Sequence, residues 1–282
     1  MLRPKIFYDT NICIAATNRQ IDPAEWNRVQ RYIRRKYAYC ISFITAKELL
    51  GRLARCEKQY FTRNKAPLEM LYGCGRREFL SYPPAFALEH ILQIAHAALH
   101  PESKDGAWLR NISRAALLAP SKEVLRNPGI RYPANPRLLQ CFDLNDFDDF
   151  EDGPQREHAA LLEGIRNGSI DPPNRNKWAA WILHPYGLTP FTEKCVKVAN
   201  DLDAAYRFSE SLSRLAKTSG YDFSKKGHVT DWGDSMQLFY LCDPRVHFLT
   251  MDRRFESRTL GSAQAGRIVF YQHLRDEVLE AA

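Results

Sequence analysis

Short apolar runs alternate with helix-period stretches at the start of this chain, and few folds accept that order. Ile6-Phe7-Tyr8 is apolar without in-and-out alternation, as in a strand covered on both faces. A brief helical turn over Asn11–Ala16 follows. A clearer helix starts at Pro23, with Asp22 as its N-cap and Trp26, Val29, Ile33 and Tyr37 as its apolar face. Tyr39–Phe43 is the next strand. Thr45 then caps another helix, with Glu48 in the capping-box position and Leu49, Leu53 and Cys56 continuing it. The order β, α, β, α predicts a parallel sheet. The same signs return at the far end, in strands Val246–Thr250 and Ile268–Tyr271 and a helix Gln272–Leu279. The two ends of the chain must therefore meet in one sheet.

The middle reads differently. Helices are predicted over Phe86–Leu99 after Pro83-Pro84, Trp108–Leu118, Gln155–Ile165 and Lys177–Leu183, and in one or two segments over Phe191–Leu215. No strand ladder is visible between Tyr60 and Gly187. The expectation is one α/β domain over residues 1–282, with core segments 4–59 and 228–282. A helical insertion, about residues 60–227, packs over it and limits access to a substrate.

At 282 residues and 45% apolar content, the chain can bury a large core. Its net charge of +7 fits a polyanionic partner and equally many ordinary proteins. Seven scattered cysteines without a CxxC pair suit a reducing compartment, so cytoplasmic location is expected. The N-terminus lacks the apolar core of a signal peptide, and no run approaches the ~18 residues of a membrane span.

Four acids punctuate the predicted elements. Asp9 follows the first strand. Glu48 lies on the helix after the second. Asp234 opens a helical pattern that stops near Asp243-Pro244, and Asp252 sits just past Val246–Thr250. In open α/β sheets, ligands bind beyond the carboxyl ends of the strands. Converging carboxylates are hard oxygen ligands for magnesium or manganese, which assist phosphodiester cleavage. Taken singly, each acid also reads as a cap or turn residue.

The segments Ile6-Phe7-Tyr8-Asp9-Thr10-Asn11, Ser42-Phe43-Ile44-Thr45-Ala46-Lys47-Glu48-Leu49, Asp234-Ser235-Met236-Gln237-Leu238 and Leu249-Thr250-Met251-Asp252 together resemble the motifs of PIN-domain metal-dependent nucleases. The resemblance covers roughly residues 4–55 and 228–272. It implies a Rossmann-like parallel sheet of PIN type, interrupted here by the helical insertion. It implies Asp9, Glu48, Asp234 and Asp252 as the catalytic and metal-binding set for Mg2+ or Mn2+. Asp231, one helical turn before Asp234, joins the candidate metal ligands. The implied function is a metal-dependent endoribonuclease with nucleic acid, chiefly RNA, as partner. Members also serve as toxins in toxin–antitoxin pairs, which would add an inhibitory protein partner. A DNA or structure-selective nuclease and a non-catalytic RNA-binding or scaffold protein are the alternatives.

Other features carry less. Arg253 and Arg254 follow Asp252 and are candidate phosphate contacts. Trp232, beside Asp231 and Asp234, is the candidate for base stacking, whereas Trp178 and Trp181 are expected in the core. Arg28, Arg31, Arg34, Arg35 and Lys36 read as a charged helix exterior. Asp143–Asp152 is acidic but lacks the glycine and spacing of an EF-hand loop. His96 and His100 lack the HExxH context of a zinc site. No GxSxG, P-loop or dinucleotide fingerprint occurs.

Overall fold

The computed structural model describes residues 3–73, 78–94, 104–123, 156–188, 192–218, 221 and 231–280. Five strands form one all-parallel sheet: β1 (Lys5–Tyr8), β2 (Ala38–Ile41), β3 (Glu78–Phe79), β4 (Val246–Thr250) and β5 (Ile268–Phe270). Their order across the sheet is β3-β2-β1-β4-β5. β1 is central, pairing Ile6 with Tyr39 of β2 and Tyr8 with Leu249 of β4. Beyond β1, β2 and β3 extend to one side, and β4 and β5 to the other. The join of β1 and β4 is therefore the switch point of the sheet, where the carboxyl ends of neighbouring strands leave a crevice.

β3 corrects the expectation of a strand-free middle. Phe79 pairs with Ile41 at the edge of the sheet. Two residues are too few to carry a period-two signal. The second strand also ends earlier than expected, at Ile41. Ser42 accepts from the Thr45 amide and starts α3 (Phe43–Arg55) at Phe43. Thr45 is thus not the cap; its hydroxyl instead bonds the Tyr8 carbonyl at 2.7 Å, tying α3 to the end of β1. The Asp22 cap of α2 (Pro23–Lys36) is present, with its carboxylate accepting from Ala24 and Glu25.

Alternation along the strands divides the core into two layers. Ile6, Tyr8, Tyr39, Ile41 and Leu249 face one side, where they meet α1 (Thr10–Thr17), α2, α3, α4 (Phe61–Gly73), α6 (Lys104–Leu118) and the terminal helix α13 (Tyr271–Glu280). Phe7, Cys40 and Phe248 face the other. There they meet α5 (Pro83–Leu92), α7 (156–166), α8 (Arg175–Leu183), α9 (Thr192–Asp201) and α10 (Asp203–Lys217). Phe7 stacks on Phe248 at 4.9 Å, and Phe255 closes edge-on against Phe248 at 5.0 Å. The middle of the chain thus supplies helices to both faces of the sheet. Arg28, Arg31, Arg34, Arg35 and Lys36 lie on the exposed side of α2. Among the described residues, no helix is long and apolar enough to cross a membrane.

Candidate functional site

The strand β1 ends in a carboxylate that the neighbouring strand holds in place. The Asp9 amide donates to the Leu249 carbonyl at 2.8 Å, locking the two strand ends together. The Asp9 side chain is buried and accepts three hydrogen bonds, from the Thr250 hydroxyl at 2.6 Å, the Asn11 amide at 2.7 Å and the Gln237 amide at 3.2 Å. The same Thr250 oxygen accepts from the Asp252 backbone N–H at 3.0 Å. One hydroxyl therefore bridges Asp9 to the residue that carries the fourth acid.

Asp231 and Asp234 come from α11 (Asp231–Gln237). The helix begins at Asp231, not at Asp234 as expected, so both acids lie in its first turn, where the helix dipole favours negative charge. α11 then tightens into a 3-10 turn over Leu238–Cys242 before β4. Gly233 lets α11 approach α3 closely, because a Cβ there would stand 2.8 Å from a Glu48 carboxylate oxygen. Glu48 accepts from the Thr10 hydroxyl. α1, α3, α11 and the turn after β4 thus deliver Thr10, Glu48, Asp234 and Asp252 to the carboxyl end of β1.

Arg254, on α12 (Arg254–Arg258), is shared among three of the acids. Its guanidinium reaches Asp231 at 2.9 Å, Asp234 at 3.0 Å and Asp252 at 2.6 Å. The Asp234 and Asp252 contacts use one nitrogen, so those two carboxylates lie side by side. The sequence pointed to Arg254 as a phosphate contact, yet here it faces the carboxylates. Arg253 is exposed. Asp231 is the deepest of the acids, with no exposed surface, and also binds Arg258 at 3.0 Å and the Tyr221 hydroxyl. Its partners are the arginines and the tyrosine, whereas Asp234 faces Asp9, Glu48 and Asp252.

Electrostatics separates these carboxyls from ordinary surface acids. Burial pushes the Asp9 carboxyl above its usual range; the Thr250 and Gln237 bonds oppose this, and the nearby Asp252 charge adds to it. Burial raises Asp234 well above its usual range, reinforced by the charges of Asp9 and Glu48 and only partly opposed by Arg254. Two close carboxyls that resist ionising together are a place where a divalent cation lowers the free energy most. The donors are all oxygen, which fits magnesium or manganese and not a soft metal. Among the described residues, no group of three His, Cys, Asp or Glu side chains is arranged closely enough to hold an ion as it stands. Arg254 occupies the space between three of them.

Comparison with family models, with curated proteins and with solved structures finds no match to this chain.

Trp232 is half-buried on the adjoining face of α11, with the Lys47 ammonium 5.3 Å from its ring centre. Trp178 is buried against Phe239 and Tyr206, but Trp181 is 46% exposed, which corrects its expected place in the core. Trp178 fills the layer beneath α8, while Trp181, one turn on, stands further out. Gln237 and Tyr221 were missed as site residues. Gln237 carried a signal, since it follows Asp234 by one helical turn; Tyr221 carried none. His96, His100 and Asp143–Asp152 lie outside the described residues.

Proposed function

We propose that this protein is a metal-dependent endoribonuclease that hydrolyses phosphodiester bonds. One observation carries the reading: acids from both ends of the chain gather at the switch point of a parallel sheet, where burial raises both Asp9 and Asp234 and the charges of neighbouring acids, Asp252 for the first and Asp9 and Glu48 for the second, add to it. In this reading Asp9, Glu48, Asp234 and Asp252 hold magnesium or manganese. When bound, such an ion supplies positive charge to the phosphate oxygens and acidifies water. Asn11, Thr250 and Gln237 fix the Asp9 carboxylate, so little reorganisation accompanies the reaction. Asp231 keeps Arg254 and Arg258 in register. Arg253, exposed next to the acids, is placed to steady a phosphate of the strand. Water would attack phosphorus: an oxygen–phosphorus bond forms, the bond to the leaving sugar oxygen breaks, and the proton that the water loses ends on that oxygen. Asp234 and Asp252, which now share one Arg254 nitrogen, would hold the ion together with Asp9 and Glu48, and Arg254 would then compete with it for them.

The test is cleavage of matched RNA, single-stranded DNA and flapped DNA in magnesium, in manganese and in EDTA, beside Asp9→Asn. RNA should be cut only with metal, and the variant should be slower by roughly 100-fold or more, the scale for losing one group that stabilises transition-state charge. Intact RNA in both metals, or a variant as fast as the parent, would refute the reading. Preference for flapped or single-stranded DNA would move it to a DNA nuclease.

A further inference from the structure

A cavity of about 400 Å³ opens beside the acids, enclosed by α7, α8, α10 and α11. Trp178, Trp181, Trp232 and Phe239 line it, together with His158 and Ser235. We propose that this cavity is a base-binding subsite, which takes one nucleobase of a single-stranded RNA next to the phosphate held at the acids. The inference rests on the nuclease reading and names what part of the substrate that site would grip.

Three observations select a nucleobase. The first is position. Trp232 and Ser235 are one turn apart on one face of α11, and Asp231 and Asp234 are one turn apart on the next. Trp232 and Ser235 are the direct chain neighbours of Asp231 and Asp234, and consecutive Cα atoms are about 3.8 Å apart, so the wall of the cavity and the acids adjoin along this helix. The second is shape. Indole rings offer flat apolar walls that accept any base by stacking. Trp181 lines the cavity and is 46% exposed, so its ring can be reached from solvent.

The third is charge. Among the described residues that line the cavity there is no Lys or Arg, and Glu157 adds a carboxylate, so a phosphate or a carboxylate would enter without a counter-ion and against that group. The occupant is the uncharged part of the nucleotide. Its edge still meets polar groups. Burial lowers the His158 imidazole to about 4, against the partly opposing charge of Asp231, so at neutral pH it offers one donor and one acceptor. The Ser235 hydroxyl donates to the Trp232 carbonyl at 2.9 Å, leaving its oxygen free to accept. An apolar wall with a few placed polar groups is the ordinary form of a small-ligand site.

The test measures binding in EDTA, where no strand is cut. A labelled RNA hexamer and the same hexamer with abasic residues are titrated against the whole protein and read by anisotropy. The base-bearing strand should bind roughly 10-fold tighter or better, the scale of one stacked base. Trp181→Ala, at an exposed position, should lose most of that advantage. Trp232→Phe should keep most of it, because phenylalanine retains the stacking face. Asp9→Asn should keep it too while losing cleavage. If the parent prefers bases yet cuts nothing in magnesium, the nuclease reading fails and the subsite stands. Equal binding of the two strands by a parent that does cut RNA overturns the subsite alone. Displacement of RNA by an aromatic peptide that binds tighter than the base-bearing strand would reassign the cavity to a protein and also overturn it.

Discussion

At the amino end of the sheet, Asp243 is buried just before β4, and Arg245 grips both its oxygens, at 3.0 Å and 2.7 Å. Lys5, opening β1, donates to Glu78, opening β3, at 2.8 Å. Burial alone would raise the Asp243 carboxyl, but the Arg245 bonds outweigh it and hold the group below its usual range. At the carboxyl end, Asp9 is met by the neutral donors Thr250, Asn11 and Gln237, and Asp234 shares one arginine with two other acids. Both carboxyls are raised. One edge of the sheet is balanced for stability. The other holds buried negative charge that its own cations leave partly uncompensated, an arrangement that makes sense when another cation visits.

The sharpest way to break this contrast is to neutralise one acid at each end. Asp243→Asn should destabilise the metal-free protein by about 2 kcal/mol, the scale of hydrogen bonds to a charged group. Asp234→Asn should instead leave it as stable as the parent or more so by about 1 kcal/mol, through relief of repulsion. Their pH profiles should diverge. The folded carboxyl of Asp243 sits below its unfolded value of 3.8, so its contribution is present above pH 3.8 and is lost as pH falls through the lower folded value. The gap between parent and Asp243→Asn should therefore close in acid. The folded carboxyl of Asp234 sits above 3.8, so stability is retained below pH 3.8 and lost as pH rises through the raised value. Asp234→Asn should gain on the parent as pH rises. Thermal melts in EDTA from acid to neutral pH read both trends. An Asp234→Asn protein that melts well below the parent at neutral pH would remove the claim of uncompensated charge.

Arg254 sharpens the same contrast from the cationic side. It is the shared partner of Asp231, Asp234 and Asp252, although its side chain is 36% exposed. Removing one member of a buried pair is strongly destabilising, and the solvent around Arg254 reduces that to about 2 kcal/mol for Arg254→Ala in EDTA. If Arg254 fills in for the ion, magnesium should raise the melting temperature of Arg254→Ala by more than it raises that of the parent, because binding to the native state no longer competes with the guanidinium. An equal or smaller magnesium shift would mean that arginine and metal occupy different places.

Much of the frame could be read from residue order. Ile6-Phe7-Tyr8 and Val246–Thr250 advertised themselves because strands covered on both faces are largely apolar, and the acids after them followed from that placement. The α/β class and the all-parallel arrangement follow from the same alternation. What sequence hid was long-range or too short. β3 is two residues, and it depends on the edge of β2 for its pairing. The cap of α3 is Ser42 and not Thr45, whose hydroxyl lies inside the first turn and donates to the Tyr8 carbonyl, a partner far away in the chain. Arg254 could be read as a phosphate contact, but its pairing with Asp231 and Asp234 needs α11 beside α12, which residue order does not show. Trp178 and Trp181 are three apart on one short helix, so pattern alone could not say which one the layer below would bury.

The smallest predicted effect concerns Gly233, where the two requirements of the acid edge can be separated. Alanine is favoured over glycine inside a helix by up to ~1 kcal/mol. Against that gain, the new methyl would lie 2.8 Å from the nearest Glu48 oxygen and 3.6 Å from Ile44 Cγ2. The Ile44 distance is ordinary contact. The Glu48 oxygen is the far end of a flexible side chain, and it can swing aside at little cost. Net stability of Gly233→Ala should therefore stay within about 0.5 kcal/mol of the parent, as for most substitutions away from rigid neighbours. The Thr10 hydroxyl bonds the other Glu48 oxygen, so the displaced carboxylate would shift against that bond. If Glu48 is a working acid, cleavage should fall by roughly 10-fold, since small misplacements of a positioned group lower rates without unfolding anything. Glu48→Gln should lose at least as much activity, with no steric change. An unchanged rate in both, with melts that match the parent, would leave Glu48 as a partner of Thr10 in the packing of α1 against α3 and take it out of the acid set.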